Sequence, residues 1–404
     1  MKRVLDLEKI KQSAGKLSSV SERRRNTFLR HLSEIILQKQ QEIIKANKKD
    51  LARAKIQGLP SAFIERLGLD EAGVKKLILK LTGIEKLSAG IGEIIEERTD
   101  KNKLFLKKVR TPLGVIAVIY EARPEVTIDV AALCIKSGNA VILKGGSQAL
   151  ETNKTLYACI LAALEKTGID KETVSFISSN SRRTINWLLK KNEYVDLVIA
   201  RGGYGLVKAV LNQSTIPVLA HAAGGARIYI DASADLSMAE EIILNAKTSK
   251  PATCNSLDTI VVHRNIVNKF IDRITNVLEM QHVKVINDQK ATEKVWNTEF
   301  LGLTVAIKVV KDVKEAVNFI NRHSKRHSEG VVAEDKKVID YFVDSIDAAA
   351  LFVNCSTRLH DGYVFGLGSE MGISTGKLHA RGPVGLKELT TYKWEMYGNG
   401  QIRK

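Results

Sequence analysis

One cysteine of this 404-residue chain sits where a nucleophile would be useful. Cys254 lies in NAKTSKPATCNSLDT, flanked by Pro251, Ala252, Thr253, Asn255 and Ser256, and a strand pattern, LDTIVVH, overlaps its end. Small polar neighbours differ from the aliphatic shell of a core thiol. A thiolate in this setting attacks an activated carbonyl, provided that N–H groups or cations such as Lys247 or Lys250 lower its pKa. These residues alone leave a packed thiol and a nucleophile both open. Cys134, Cys159, Cys254 and Cys355 are scattered without CxxC or Cys/His clustering, which argues against a zinc site and a disulfide framework and fits a reducing cytoplasm. The other chemistry-bearing residues are two glycine pairs. LKGGS carries Lys144, Gly145, Gly146 and Ser147, and ARGGYG carries Arg201, Gly202 and Gly203. Each ends a strand pattern and opens a helical one, which turns backbone N–H groups toward a phosphate. Neither is a GxGxxG fingerprint, and tight turns use glycine for conformational reasons too. Two such turns in one sheet, with Lys144 and Arg201 beside them, point to a nucleotide site.

The elements that must hold these residues are legible in the apolar pattern. From about residue 113, LGVIAVIYE, AVILKGG, VSFISS, VDLVIARGG and IPVLAH read as strands separated by helical stretches, including EVTIDVAALCIKSGN and SQALETNKTLYACILAALEKTG, the latter with Ser147 as its cap. A second block follows: ARIYID, LDTIVVH, LTVAIKVV, EGVVAED and LFVNCS. Apolar strands alternating with amphipathic helices predict parallel sheets covered on both faces. Two α/β domains then join near Gly224 and Gly225, and the strand-like, aromatic tail LTTYKWEMYGNGQ is placed to pair with a sheet edge of another subunit. Cys134, Cys159 and Cys355 fall in apolar patterns and read as inert.

Composition sets the outer limits. The hydrophobic fraction of 44% suits a globular chain, no apolar run reaches the length of a membrane helix, and MKRVLDLEKIKQSAGKLSSV lacks a signal-peptide core. The net charge of +17 admits nucleic acid or small anions as partners. Much of the excess lies in helical stretches such as SERRRNTFLRHLSEIILQKQQEIIKANKKDLARAK, where Phe28, Leu32, Ile35, Ile36, Ile43 and Ile44 form one face and the charges the other. With 5% aromatic residues and no nucleic-acid signature, a nucleic-acid partner is not expected, nor is a membrane.

Three longer stretches carry a family resemblance. IYEARPEVTIDVAALCIKSGNAVILKGGSQALETN, NAKTSKPATCNSLDT and FVNCSTRLHDGYVFGLGSEMGISTGKLHARGPVGLKELTTYK resemble the gamma-glutamyl phosphate reductase family of the aldehyde dehydrogenase superfamily. The resemblance runs through nearly the whole chain. It implies an aldehyde dehydrogenase-like α/β fold with two parallel-sheet Rossmann-type domains and a small oligomerisation β-extension. Residues 1–225 would bind the cofactor, with a strand excursion near 104–115 for oligomerisation; 226–385 would be catalytic; 386–404 would be the C-terminal oligomerisation strand. The implied activity is NADPH-dependent reduction of L-glutamyl 5-phosphate to L-glutamate 5-semialdehyde in proline biosynthesis, by a cytoplasmic homo-oligomer, dimer or tetramer. Cys254 becomes the nucleophile, with its own N–H helping to hold the oxyanion. Glu299 and Phe300 in TEFLG match the segment at the nicotinamide ribose, Lys144 and Ser147 match adenosine-ribose contacts, and the turns at Gly145, Gly146, Arg201, Gly202 and Gly203 complete the NADP site. Arg123, Asn245 and Arg381 are candidates for substrate binding, and His379 lies in a matched motif without an assigned role.

Departures from the family pattern are specific. Glu125 stands in RPEVT where the family carries asparagine, an oxyanion donor in the superfamily, and Ala200 replaces a proline. AAGGARIYID stands where the family has a segment close to DGICHVYVD. Ala222 and Ala223 precede Gly224 and Gly225 where hydrolytic aldehyde dehydrogenases place a water-activating glutamate. A divergent aldehyde dehydrogenase acting on another small aldehyde or acyl phosphate, and a non-enzymatic basic protein, are the competing readings.

Overall fold

The computed structural model describes residues 5–179, 181–220 and 224–403. The chain divides into two compact units, one of residues 1–220, 366–372 and 384–404, the other of 221–365 and 373–383.

The first unit opens with helices. The long basic stretch is two helices, Glu22–Gln38 and Gln40–Ile56, which bury Phe28, Leu32, Ile35, Ile36 and Ile43 and leave most of the charges outside. Strands β1 (Ile94–Thr99), β2 (Phe105–Pro112), β3 (Val115–Tyr120), β4 (Ala140–Lys144), β5 (Val174–Phe176), β6 (Leu197–Arg201) and β7 (Val218–Ala220) follow. The last five form a parallel sheet in the order β5-β4-β3-β6-β7. All six residues of β3 and all five of β4 are buried, as expected of strands covered on both faces. The connections reverse direction between β3 and β6. At such a switch point the loops leaving the strands diverge and open a crevice at their carboxyl ends.

One expectation about this unit changes. Ser147 does not cap the helix that follows β4. A single 3₁₀ turn, Ser147–Ala149, intervenes, and the helix Leu150–Thr167 has no side-chain cap of its own. Its first turn is met from the helix Gln40–Ile56: the fully buried Asp50 carboxylate accepts from the Thr152 N–H (2.8 Å), the Thr152 hydroxyl (2.7 Å) and the Glu151 N–H (3.3 Å). A buried carboxylate satisfies orphan donors and complements the helix dipole at once.

The second unit holds β8 (Ala226–Ile230), β9 (Leu257–His263), β10 (Lys284–Ile286), β11 (Thr304–Val310), β12 (Ser328–Val332), β13 (Ala350–Val353), β14 (Ile373–Ser374) and β15 (Gly382–Pro383). β8 to β13 make a parallel sheet in the order β10-β11-β9-β8-β12-β13. Alternation splits its core: Ile228, Ile230, Ile260 and Val262 face one apolar cluster, and Tyr229, Val261 and Val331 face the other.

The tail forms β16 (Thr390–Tyr397), which pairs antiparallel with β2 from Thr390 opposite Pro112 to Tyr397 opposite Phe105. The order β1-β2-β16 makes β16 an edge strand. β1 is the strand that the apolar pattern does not disclose: IIEERT is exposed along its whole length and is defined by its pairing with β2.

Candidate active site

Cys254 sits in a turn at the amino-terminal edge of the second unit's sheet, three residues before β9 begins. Gly224 and Gly225, just before β8, explain their own identity there. Gly225 has φ +118° and donates its N–H to the Cys254 carbonyl at 2.6 Å. A Cβ on Gly224 would stand 2.5 Å from the Cys254 Cα and Cβ, so no side chain fits. The pair is a platform under the cysteine. Ala222 and Ala223 lie outside the described residues.

The other wall of the turn comes from the segment after β13. Asn255 donates its amide to the His360 carbonyl (3.0 Å) and to the Arg358 carbonyl (3.5 Å), and the Thr357 hydroxyl donates to the Asn255 carbonyl (2.9 Å). Arg358 reaches back: Nη1 donates to the Thr253 hydroxyl (2.9 Å) and to the Asn255 side-chain oxygen, and Nε to the Ser249 hydroxyl (3.1 Å). Burial lowers the Arg358 pKa, while Cys254 and Asp361 favour its charged form. His360 is tied in through Ser328, whose hydroxyl lies 2.8 Å from Nδ1 of both His327 and His360.

Beneath the turn lies a buried ion pair. Lys247, fully buried, donates to the Leu257 carbonyl at 2.7 Å and stands 3.8 Å from Asp258. Burial lowers Lys247 to about 8 and raises Asp258 to about 6, each opposed by its partner. Lys247 therefore serves strand β9 rather than presenting an open cation, and Lys250 is exposed. Asp258 also accepts the Phe300 N–H at 3.2 Å, which anchors TEFLG. Glu299 is half-buried, within electrostatic reach of Lys325.

Arg227 extends this support. It is buried, 3.4 Å from the buried Glu329, and its Nη2 donates to the Trp296 carbonyl at 3.2 Å and to the His323 carbonyl at 2.5 Å. The Arg227 guanidinium thus fastens the stretch leading into Glu299 and Phe300. Burial raises Glu329 to about 7 against the pull of Arg227.

The aldehyde dehydrogenase family model covers residues 7–292. The gamma-glutamyl phosphate reductase of Clostridium novyi is 43% identical over 403 residues, covering 97% of both chains. That of Carboxydothermus hydrogenoformans is 43% identical over the full length of both. The crystal structure of gamma-glutamyl phosphate reductase from Thermotoga maritima matches with a TM-score of 0.96 at 39% identity, covering 98% of this chain and 99% of that one. The chain belongs to the gamma-glutamyl phosphate reductase family, a branch of the aldehyde dehydrogenases. It is accordingly an oxidoreductase, and the α/β fold with two parallel sheets and a small antiparallel one agrees with the sequence.

For a chain of this family, the remaining predicted residues divide clearly. In the first unit, Lys144 is buried at the end of β4, where it donates to the Gly145 carbonyl at 2.6 Å, and burial lowers its pKa. Gly145 is required by packing, since a Cβ would run into the Asn153 amide. At the end of β6, Nη1 of Arg201 is buried with no hydrogen-bond partner among the described residues. The second glycine turn differs from expectation: the Gly203 N–H already donates to the Glu121 carboxylate at 2.8 Å, and a Cβ on Gly202 would stand 2.7 Å from that group. A carboxylate occupies the position that a phosphate was expected to take.

Glu125 is the first residue of the helix Glu125–Lys136 and is half-buried. Burial raises its pKa, while its backbone hydrogen bond, Arg123 and Lys80 oppose the shift and Asp129 adds to it. Arg123 precedes the helix, where its carbonyl accepts from Val126 at 3.0 Å. In the second unit, Arg381 pairs with Asp347 at 2.6 Å, with Nε and Nη2 buried and lacking partners among the described residues. Asn245 and His379 are exposed. Of the other thiols, burial pushes Cys159 up to about 11 and raises Cys134 and Cys355 as well. Sequence reasoning missed Asn255, Asp258 and Arg358; Arg358 was signalled only by lying inside a matched stretch.

Proposed function

We propose that this chain reduces L-glutamyl 5-phosphate to L-glutamate 5-semialdehyde, with release of phosphate, using NADPH. Full-length identity of 43% to the Clostridium novyi reductase carries the reading. The Cys254 sulfur attacks the acyl carbon, the carbon–oxygen bond to phosphate breaks, and phosphate leaves with the bonding pair. The cofactor, when bound, supplies a hydride to the thioester carbon. The carbon–sulfur bond then breaks, the aldehyde departs and Cys254 regains its thiolate. The Cys254 N–H would donate to the oxyanion, in a turn whose Cys254 carbonyl is held by the Gly225 N–H. Burial raises the Glu125 pKa and so favours its neutral form, the form that would donate to an oxyanion where an ionised carboxylate would repel it.

Nicotinamide chemistry suits the residues present. The first sheet opens a crevice at its switch point, and Arg201 brings to the end of β6 a buried nitrogen with no partner among the described residues. Lys144, Gly145, Gly146, Ser147 and Arg201 would hold the adenosine side, and Glu299 and Phe300 the nicotinamide ribose. Gly202 and Gly203 would bound the crevice without gripping phosphate. Arg123, Asn245 and the spare nitrogens of Arg381 would bind the substrate's anionic ends. The protein would work in the cytoplasm as a dimer or tetramer assembled through β16, where Tyr392, Trp394 and Tyr397 are exposed. Among the described residues no helix is long and apolar enough to cross a membrane.

The test runs the reaction backwards with glutamate 5-semialdehyde, NADP and phosphate, following nicotinamide absorbance. NADP reduction that requires phosphate and vanishes in Cys254→Ser supports the reading, because Ala222 and Ala223 offer no base to activate a water. Turnover to glutamate in phosphate-free buffer, or full activity in Cys254→Ser, would sink it.

A further inference from the structure

The structure brings one cation to the reactive turn that the proposed mechanism has not used. Arg358 donates to the side chains on both sides of Cys254, the Thr253 hydroxyl and the Asn255 amide oxygen, and to Ser249 on the approach. Its own backbone carbonyl, with that of His360, receives the Asn255 amide in return. The turn and the segment 357–360 are therefore closed on each other from both directions, with the cysteine as the residue between the two gripped positions.

We propose that Arg358 is the positioning cation of the reactive thiol: it fixes the Thr253–Cys254–Asn255 turn and holds the sulfur as a thiolate at neutral pH. This inference rests on Cys254 being the nucleophile. Hydroxyl and amide oxygens orient the guanidinium without neutralising it, so its field remains available to the sulfur. Among the described residues no carboxylate stands within ion-pair distance of it; Asp361 acts on it through space, as Cys254 does. The other cations of this region are paired or exposed. Lys247, from the helix Leu236–Thr248, is bound to the Leu257 carbonyl and faces Asp258 of β9, Lys250 is exposed, and Arg227 is paired with Glu329. Arginine is needed for its fork: Nη1 serves the turn while Nε holds Ser249, an arrangement a single ammonium cannot reproduce.

The experiment measures the rate of Cys254 alkylation by iodoacetamide against pH, read by peptide mass spectrometry, in the wild type, Arg358→Met, Arg358→Lys and Asp361→Asn. A nearby opposite charge moves a pKa by about 1–3 units. The inflection for Arg358→Met should rise by about one unit or more, slowing alkylation at neutral pH about tenfold, while the high-pH plateau stays within a few-fold of wild type. Arg358→Lys should fall between the two. Asp361→Asn removes a carboxylate within electrostatic reach of the guanidinium and should move the inflection down; Arg358→Lys decides the test if Arg358→Met does not fold. An unchanged inflection in the arginine variants overturns the proposal, also where the rate falls uniformly, as a purely structural role requires. Full turnover in Cys254→Ser would instead overturn the nucleophile assignment, independently of what the pH profiles show.

Discussion

Gly224→Ala is the sharpest perturbation of the cysteine platform. The added methyl would stand 2.5 Å from the Cys254 Cα and Cβ, against about 3.5–4 Å for a relaxed carbon–carbon contact. Its neighbours there are the cysteine's own backbone and first carbon, so no flexible side chain can swing away. The Cys254 turn must retreat by about 1 Å. Displacements of that size at a reacting centre cost on the order of a hundredfold in rate, and overpacking of this kind costs about 1–3 kcal/mol of stability. The assay is kcat for phosphate-dependent NADP reduction, with a thermal melt alongside. Gly15→Ala is the control: Gly15 lies exposed in the helix Leu7–Ser18 with nothing within 4 Å of an added Cβ, and should gain about 0.5–1 kcal/mol. Activity within twofold of wild type and an unchanged melt for Gly224→Ala would refute the close approach of the platform to the cysteine.

Two further outcomes follow from the buried charges. Asp50→Ala should cost about 2 kcal/mol in denaturant unfolding, because the Thr152 and Glu151 donors lose their buried acceptor; a change below about 0.5 kcal/mol would mean that water replaces it. The Lys247–Asp258 pair carries a sign that can be measured. Burial raises Asp258 to about 6, so its contribution to stability is full below the ordinary aspartate range near 4 and is lost as pH rises to about 6. Burial lowers Lys247 to about 8, so its contribution is full above the ordinary lysine range and is lost as pH falls through about 8. Between those values the fold holds two buried charges at a cost. Lys247→Met with Asp258→Asn should therefore melt no lower than wild type at neutral pH, with a gain of up to about 1–4 kcal/mol and a flatter pH profile between about 5 and 9. A loss of more than about 2 kcal/mol at pH 7 would show that the pair stabilises the fold on balance.

Sequence pattern and tertiary structure contributed different parts of this picture. The buried strands were legible because a parallel sheet covered on both faces demands uninterrupted apolar residues, as in VIAVIY, AVILK and LVIAR. Cys254 stood out because polar neighbours do not surround a core thiol, and the matched stretches named the chemistry. β1 was not legible: IIEERT has no buried face, and only pairing with β2 makes it a strand. The Ser147 cap was read from neighbours in sequence, yet the acceptor that meets the helix is Asp50, about a hundred residues earlier. Gly202 and Gly203 looked like a phosphate turn until Glu121, from the end of a neighbouring strand, was found in it. Arg227, in the segment that departs from the family pattern, is one half of a buried pair that fastens the stretch before Glu299. Periodicity and local composition determine which residues leave water, because burial depends on near neighbours and on the alternation of faces. Which charge meets which turn depends on loops brought together from 82 to 105 residues apart, as with Glu121 and Gly203 or Arg358 and Thr253. Only the packed fold decides that, since a hydrogen bond carries no record in the sequence of where its partner will come from.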